Sequence, residues 1–248
     1  MNAQLTPRPR LSVCIATFNG ERFIVEQLRS IFPQLDPQDE VVIVDDASSD
    51  STVDLIEGMQ DPRVRLIRNQ VNRGHVRTFE RALSQASGEW VMLSDQDDVW
   101  PEGRVAAMLD ALRGADFVLG SIQILGSDTE GPLPDRSTHG VGAGNLLGIL
   151  AGTIPYAGAA MAFKRSMLSV GLPFPAYVEA HDHWLAIVAN VAFRVRHLEQ
   201  VVLLRRLHDS NLTPLKRRRL TLVLLTRGRD LRSMFDSWRR FRRLRGIT

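Results

Sequence analysis

Several features that are common in proteins are scarce in this 248-residue sequence, and each absence excludes a class of protein. The only cysteine, Cys14, lies inside an apolar run, so there is no disulfide framework and a reducing compartment is expected. Residues 1–9 are polar, contain two prolines and have no apolar h-region. We therefore expect no secretory signal and a cytoplasmic protein.

Glycine-rich phosphate loops and uninterrupted apolar spans are also missing. No GxGxxG opens the first predicted helix and no GxxxxGK[ST] occurs, which disfavours nicotinamide Rossmann enzymes and P-loop NTPases. Residues 146–163 carry no charge over 18 positions, nominally a transmembrane length, but glycines and a proline interrupt them. We interpret this stretch as a buried core segment or, from Tyr156 to Met161, as the lining of an acceptor pocket.

The overall composition is typical of a globular protein, but the charge is distributed unevenly along the sequence. Hydrophobic residues make up 44% and charged residues 24%, which suits one large α/β domain with or without an appendage. Residues 205–248 contain 14 Lys+Arg and 3 acids, whereas residues 1–204 contain 17 and 25. An acidic body with a basic tail predicts two separate tasks.

Strand and helix patterns alternate four times in the first 94 residues. Strands are predicted at 11–17, 41–44, 64–68 and 90–94, with helices at 21–32, about 50–59 and 76–86. Further strands are predicted at 117–124, 193–197 and 201–207, a surface loop at 126–144 and a helix at 185–192. The alternation favours a mostly parallel sheet with helices on both faces.

Polar residues follow the predicted strands directly or nearly so. The groups are Thr17-Phe18-Asn19, Asp45-Asp46, Asn72-Arg73-Gly74 and Asp95-Gln96-Asp97. Because ligands bind open α/β sheets at the carboxyl ends of the strands, we expect all four groups to converge on one edge.

Three carboxylates lie within four positions at Asp95, Asp97 and Asp98, and like charges this close repel one another. One interpretation is a site for Mg²⁺ or Mn²⁺ that keeps open positions for substrate phosphates. The other is an N-terminal cap for a helix beginning near Pro101. Asp182 has a similar ambiguity: it is either a helix cap or a carboxylate that accepts a proton.

The ordered motifs IATFNG, VDDASSD, NRG, SDQDDVW, HDHW and LHDSN resemble those of family 2 glycosyltransferases with a GT-A fold. The similarity is greatest to bacterial rhamnosyltransferase-like members, and it covers roughly residues 11–211. It implies a Rossmann-like α/β fold with a mostly parallel sheet. The implied organisation is an N-terminal tail at 1–10, a catalytic domain at 11–212 and a basic amphipathic helical segment at 213–248.

The resemblance also implies a role for each matching position. Residues expected to hold the nucleotide sugar are Thr17, Phe18, Asn19, Asp45, Asp46, Arg73 and Asp95. Residues expected to hold the metal on the donor diphosphate are Asp97, Asp95 and His208. Asp182 occupies the position of the catalytic base, and Asp98 is interpreted as a cap for the next helix. Residues expected on the acceptor side are Tyr156, Gly158, His181 and Trp184, with His181 replacing the glutamate that often precedes the base.

The activity implied is that of an inverting, metal-dependent hexosyltransferase of cell-surface polysaccharide synthesis. The donor would be dTDP-rhamnose or a UDP-sugar, with rhamnose favoured, and the acceptor a hydroxyl of a glycan or lipid-linked glycan. The QxxRW motif of processive members is absent, which favours single addition. The alternatives are an inactive nucleotide-sugar-binding scaffold with a partner-binding tail, and a nucleotidyltransferase, which would need a basic, glycine-rich first loop.

The basic tail alternates arginine clusters with apolar residues. One predicted helical stripe contains Leu231, Met234, Phe235, Trp238, Phe241 and Leu244. Such a helix fits an anionic membrane surface or a partner, giving a peripheral protein at the inner face of the membrane. The competing interpretation is a helix packed on the acidic body. Nucleic-acid binding is disfavoured because the tail contains no recognised motif.

Overall fold

The computed structural model of the chain describes residues 8–126, 138, 142–154, 156–208 and 220–246, with only the backbone at 220–224. The strands β1 to β7 are Leu11–Thr17, Glu40–Asp45, Val64–Arg68, Trp90–Ser94, Phe117–Ile124, Met161–Lys164 and Val195–Arg205. The helices α1 to α8 are Ile24–Ile31, Thr52–Gly58, His75–Gln85, Arg104–Gly114, Ala143–Ala151, Leu168–Gly171, His181–Ala192 and Leu220–Leu244.

The seven strands form one sheet in the order β3-β2-β1-β4-β6-β5-β7. β1 pairs in parallel with β2 and β4, β2 with β3, and β5 with β7, whereas β6 is antiparallel to both of its neighbours. Because β6 reverses between β4 and β5, the other six strands all run in the same direction. The predicted mostly parallel α/β sheet is confirmed.

The centre of the sheet is buried on both faces, which explains the unbroken apolar runs in its strands. All apolar residues of β1, β2 and β4 other than Ala16 and Trp90 are fully buried. Helix α3 packs on β1 and β2, and α4 packs on β5, β6 and β7. The core therefore fixes the strand ends, and with them the polar residues that follow.

The reversed strand β6 was not foreseen in the sequence. The charge-free stretch divides into α5, a 3₁₀ turn at Gly158–Ala160 and β6. Since β6 runs opposite to its neighbours, its first residue and Gly158 lie at the edge where the other strands end. No helix of the described residues is long and apolar enough to cross a membrane.

The two predicted late strands are a single strand, β7. Gly120 pairs with Leu198 and Ser121 with Val201, so Glu199 and Gln200 are accommodated as an irregularity within the strand. Most of the predicted loop at 126–144, the boundary between residues 212 and 213, and the first part of the basic tail lie outside the described residues.

Helix α8 packs against α7, with α5 and α6 beside it. Asp230, Ser233 and Ser237 are buried, and Met234 and Phe241 pack on the core. The other members of the predicted stripe, Leu231, Phe235, Trp238 and Leu244, are exposed. The predicted stripe is therefore divided: Met234 and Phe241 pack on the body, and its other four members lie at the surface. The described part of the tail thus packs on the body and also leaves an apolar surface exposed.

Candidate active site

The carboxylate of Asp45, at the end of β2, is held by donors from two loops. Thr17 Oγ1 donates to Oδ2 at 3.2 Å, and Ser48 donates through its backbone N to Oδ1 at 3.0 Å and through its hydroxyl to Oδ2. Asp46 N in turn donates to Thr17 O at 2.8 Å. The ends of β1 and β2 are therefore joined into one polar edge.

Asp46 is held by the turn that precedes α3. Its Oδ1 accepts from Asn69 Nδ2 at 2.6 Å and from Arg73 N at 2.9 Å, and its Oδ2 accepts from Gly74 N at 2.8 Å. Gly74 has a φ of +81°, a conformation that favours glycine. The nearby N-terminus of α3 also stabilises the negative charge. The Arg73 side chain itself is exposed at this edge.

The loop after β1 is fixed by Gln96, a residue that received no role in the sequence. Gln96 Oε1 accepts from Phe18 N at 2.8 Å, and Gln96 Nε2 donates to Phe18 O at 3.1 Å. A Cβ on Gly20 would lie 2.4 Å from Gln96 Oε1, so glycine is needed there. Asn19 adopts a φ of 47° and accepts from Ser49 N at 2.9 Å. The Phe18 ring is 44% exposed above this scaffold.

The carboxylates that follow β4 form a group with Asp182 of α7. Burial raises the pKa of Asp95, and the charges of Asp98, Asp97 and Asp182 raise it further. No group of the described residues donates a hydrogen bond to the Asp95 carboxylate. Burial and Asp97 likewise raise the pKa of Asp98 to about 6. Asp182 lies 84 positions after Asp98 in the sequence, and the fold brings it close to the DQDD motif.

Asp98 does not cap a helix, so that prediction is wrong. Helix α4 begins at Arg104, with Gly103 at its N-cap. Asp98 is buried and its Oδ1 accepts from Arg206 N at 3.0 Å, beside the isolated bridge between Val99 and Leu204. The physical reason is that residues 97–99 cross to β7 before the helix can start. Asp98 thereby fixes the end of β7 against the end of β4.

His208 follows β7 and reaches the same cluster. Its Nε2 lies 2.8 Å from Asp97 Oδ2, and its ring stacks on Phe23 with the centroids 4.7 Å apart. Arg206 Nε donates to Asp97 O at 3.1 Å. The late histidine, which had an ambiguous position in the sequence, therefore belongs to the carboxylate edge.

The chemistry of Asp95, Asp97 and His208 fits a divalent cation such as Mg²⁺ or Mn²⁺. Two carboxylates and an imidazole are suitable ligands, and a cation would offset the repulsion from Asp98, Asp97 and Asp182 that adds to burial in raising the pKa of Asp95. Within the described residues, no three His, Cys, Asp or Glu side chains are arranged as a ready metal-binding cluster. An ion at this edge would therefore need oxygen atoms from a bound ligand to complete its coordination.

Arg104 is a buried cation behind the cluster and was not singled out in the sequence. Its guanidinium donates to Leu93 O at 3.2 Å, Ala159 O at 2.5 Å and Val202 O at 2.8 Å, and its Cζ lies 3.8 Å from the centroid of the Trp100 ring. Burial lowers the pKa of Arg104 to about 9, and the charges of Asp98 and Asp95 oppose this shift. Its position four residues after the Trp of SDQDDVW was the only signal.

Asp182 lies in the first turn of α7, half-buried, and its Oδ1 accepts from His183 N at 2.7 Å. The neighbouring His181 is buried and stacks on Phe79 at 4.0 Å between centroids. Neither ring nitrogen of His181 has a hydrogen-bond partner among the described residues. Burial lowers the pKa of His181 to about 4, so the ring is neutral at pH 7. A Cβ on Gly158 would approach His181 Nε2 to 2.7 Å and Asp182 Cβ to 3.4 Å.

Two of the residues expected on the acceptor side are buried in the core. Tyr156 Oη accepts from Asn190 Nδ2 at 3.0 Å, and Trp184 Nε1 donates to Gly171 O at 2.8 Å. Both rings are buried, so the expectation that they contact an acceptor is corrected. They support α7 from within, whereas Gly158 and His181 lie next to Asp182.

Helix α8 reaches this part of the molecule through His183, which also had no role in the sequence analysis. His183 Nδ1 lies 3.2 Å from Asp230 Oδ1, and this contact raises the pKa of His183. Arg227 Nη1 is 3.3 Å from Asp230 Oδ2. The residue after Asp182 is thus held by the C-terminal helix.

Comparison with known proteins gives a consistent result. Residues 12–170 match the profile described as Glycosyl transferase family 2. The succinoglycan biosynthesis protein ExoO of Rhizobium meliloti is 31% identical over 122 residues, 48% of this chain and 35% of that protein. The dTDP-rhamnosyl transferase RfbG of Shigella flexneri is 35% identical over 105 residues, 40% of this chain and 36% of that protein. The chain thus covers about a third of the length of these relatives.

Solved structures show the same architecture. TarS of S. aureus, in complex with UDP-GlcNAc, superposes with a TM-score of 0.68 at 21% identity, over 90% of this chain and 66% of that one. The mannosyltransferase PcManGT of Pyrobaculum calidifontis, in complex with GDP-Man and Mn²⁺, gives 0.61 at 24% identity, over 83% and 59%. At this level of identity the likeness establishes the fold.

Proposed function

Because the chain belongs to glycosyl transferase family 2 and has a GT-A fold, we propose that it transfers a sugar from a nucleotide-diphosphate donor to a hydroxyl of a glycan or lipid-linked glycan. The transfer serves the synthesis of a surface polysaccharide. The observation that carries the proposal is the grouping of Asp182 with the carboxylates of the DQDD motif at the carboxyl edge of the sheet. This grouping supports the proposal of a proton acceptor next to a site for a donor diphosphate.

The donor is proposed to lie across the ends of β1 and β2. The exposed Phe18 ring offers a surface for the base, and Thr17, Asn19, Asp45 and Asp46 form the polar floor beneath the base and ribose. Arg73 is exposed at the same edge, where its charge favours the phosphates. The likeness to a dTDP-rhamnosyl transferase supports dTDP-rhamnose, and the UDP-GlcNAc complex of TarS supports a UDP-sugar as the second choice.

Asp97, Asp95 and His208 are the residues that would hold Mg²⁺ or Mn²⁺. When bound, the ion supplies Lewis-acid neutralisation of the charge that develops on the leaving diphosphate. The Mn²⁺ in the PcManGT complex supports this assignment.

Asp182 is proposed to remove the proton from the acceptor hydroxyl. As that oxygen attacks the anomeric carbon, the bond from the carbon to the diphosphate oxygen breaks on the opposite face, and the proton moves to the Asp182 carboxylate. One displacement with one base inverts the anomeric configuration. The hydrogen bond from His183 N orients Asp182 through Oδ1. Gly158 leaves room beside the base because it has no side chain.

A thermal-shift panel of nucleotide sugars with Mn²⁺ tests the proposal, with donor turnover measured in parallel as nucleoside diphosphate release. A selective donor should raise the melting temperature and be turned over slowly even by water. Chelation should abolish both signals. Stabilisation without turnover, also in the presence of lipid-linked glycans, would instead favour a nucleotide-sugar-binding scaffold. The absence of any nucleotide-sugar binding would refute the proposal.

A further inference from the structure

Helix α8 presents a second surface on the side away from α7. We define the outer face of α8 as the apolar residues Leu231, Phe235 and Trp238 with the exposed arginines Arg232, Arg239 and Arg243. Leu231 is 57% exposed, Phe235 56% and Trp238 44%. The residues that hold α8 on the body, such as Ser233, Ser237 and Phe241, occupy the opposite side. The outer face can therefore change without disturbing the packing of the helix.

The outer face combines aromatic rings with guanidinium groups. Phe235 and Trp238 stack with their centroids 6.2 Å apart. Arg239 lies 5.6 Å from the centroid of Phe235, and Arg242 lies 4.8 Å from that of Trp238. Aromatic rings with adjacent cations suit a layer that has apolar chains on one side and phosphates on the other.

The positive charge of α8 is concentrated in its second half. Residues 225–246 contain eight arginines and two aspartates, and both aspartates are engaged within the fold, Asp230 with His183 and Asp236 with Tyr177. Arg227, Arg229 and Arg232 form ion pairs, and Arg240 donates to Val170 O at 3.0 Å and to Pro173 O at 2.8 Å on the body. Arg239 and Arg243 are exposed, so part of the cationic excess beyond Asp236 faces outward beside the exposed rings.

An open groove of about 470 Å³ continues this surface toward the start of the helix. It is lined by Tyr177, Leu225, Gly228, Arg229 and Arg232, and its lining is mostly apolar. Arg232 stands over the Tyr177 ring at 4.2 Å and joins the groove to the outer face. Apolar and cationic surface thus extends along one side of the helix.

We propose that the outer face of α8 docks on an anionic phospholipid bilayer. Leu231, Phe235 and Trp238 enter the boundary between headgroups and acyl chains, and the arginines contact lipid phosphates. A second copy of the chain is a poorer occupant, because two faces with this excess of arginine repel each other. Through the contact of Asp230 with His183, docking would hold the cleft close to the bilayer. That benefit rests on the proposed function, because it assumes a lipid-linked acceptor.

The test is flotation of the full chain with phosphatidylcholine vesicles that contain or lack phosphatidylglycerol. Binding should require phosphatidylglycerol and weaken with salt. The triple variant Leu231→Ser, Phe235→Ser, Trp238→Ser should bind at least an order of magnitude more weakly. Replacing Arg239 and Arg243 with serine should reduce affinity about fivefold for each arginine. Leu147→Ser on α5 and Arg113→Ser on α4 are matched controls at exposed positions, and both should bind like the unmodified protein.

Tryptophan fluorescence gives a second readout. The emission should shift to shorter wavelength on anionic vesicles, and Trp238→Phe should bind with most of that shift lost. Unchanged flotation of the triple variant would overturn the proposal, and so would equal binding to neutral vesicles. A dimer in sedimentation that the triple variant abolishes, without flotation, would assign the face to a second copy. Donor turnover by the triple variant separates the docking proposal from the proposed function. If the variant loses flotation but keeps full donor turnover in solution, the substitutions have affected membrane docking and not the transferase activity.

Discussion

At the end of β2 both carboxylates are held by hydrogen bonds from neighbouring groups, whereas at the end of β4 Asp95 lies among other carboxylates. Asp46 accepts from Asn69 and from two backbone amides, and Asp45 accepts from Thr17 and Ser48. Asp95 has no donor among the described residues, and burial together with the charges of Asp98, Asp97 and Asp182 raises its pKa against the opposing charge of Arg205. Both strands end at the same edge of one sheet, so the difference lies in local chemistry.

Under the proposed function, one edge of the sheet provides both recognition and reactivity. A carboxylate that is fully hydrogen-bonded keeps its position without a ligand and presents a stable polar surface. Carboxylates that repel one another cost stability until a cation or a proton reaches them, and such groups concentrate at functional sites. The end of β2 is therefore interpreted as the preformed donor floor, and the cluster around Asp95 as the reactive part.

Asp182→Asn tests the reactive region with the largest expected effect. Without a proton acceptor, transfer should fall by at least about 10³-fold, while donor affinity should change by no more than about twofold. Nucleoside diphosphate release and calorimetric donor titration measure the two quantities. The exposed Asp110→Asn on α4 is the matched control. Substantial transfer by Asp182→Asn would remove the residue as the base.

His181 extends the comparison to a buried group whose ring nitrogens have no hydrogen-bond partner among the described residues. Its pKa is about 4 in the folded protein because of burial, with Asp182 raising it and His75 lowering it, against about 6.5 in the unfolded chain. Between these pH values the unfolded chain binds the extra proton, so the stability contributed by the neutral ring is lost as the pH falls from 6.5 to 4. The loss should approach about 3 kcal/mol.

His181→Phe keeps the stacking on Phe79 and removes the titration. Urea unfolding at a series of pH values should show a shallower loss of stability toward pH 4 than in the unmodified protein. Equal acid sensitivity of the two proteins would show that His181 is protonated in the folded state or relaxes toward solvent.

His208→Ala tests whether the imidazole beside Asp97 strengthens cation binding. Loss of one ligand should weaken the stabilisation by Mn²⁺ about tenfold to a hundredfold, measured by thermal shift against Mn²⁺ concentration in the presence of donor. His75→Ala removes an exposed histidine near His181 instead and should leave the Mn²⁺ dependence unchanged. If both variants behave alike, His208 is no metal ligand.

The pair Asp46→Asn and Asp95→Asn compares the ends of β2 and β4 directly, and its expected effects are the smallest. Asp46→Asn leaves backbone donors without a full acceptor and should cost about 1–3 kcal/mol of unfolding free energy. Asp95→Asn removes a repelling charge and, in chelator, should leave stability unchanged or raise it by about 1 kcal/mol. Denaturant titrations provide both values, and a loss of stability in both variants would contradict the contrast.

Local sequence pattern predicted the elements whose burial is uniform. β1 and β4 begin and end where their apolar runs do, because strands buried on both faces need no partner to be recognised. The convergence of polar residues at one edge followed from the rule for parallel sheets, and Asp45, Asp46 and Thr17 lie together as expected.

The remaining features depend on contacts between distant residues. β6 is defined by pairing with β4 and β5, and nothing in the run from Met161 to Lys164 specifies its direction. Asp98 is of a residue type that often caps helices, but its observed partner is Arg206, which is distant in the sequence. Trp184 and the stripe on α8 were assigned from residue type, and which side faces the body is decided by tertiary packing.

The guanidinium of Arg104 has a consequence for cooperativity. It links carbonyl oxygens at the end of β4, before β6 and within β7, and so joins the donor side of the sheet to the side that carries α7. Opening the cleft by separating these strands would leave a buried cation without its acceptors, which is costly. The two sides of the sheet should therefore unfold as one cooperative unit. We expect the backbone amides of β4 and β7 to exchange hydrogen only through the same global opening.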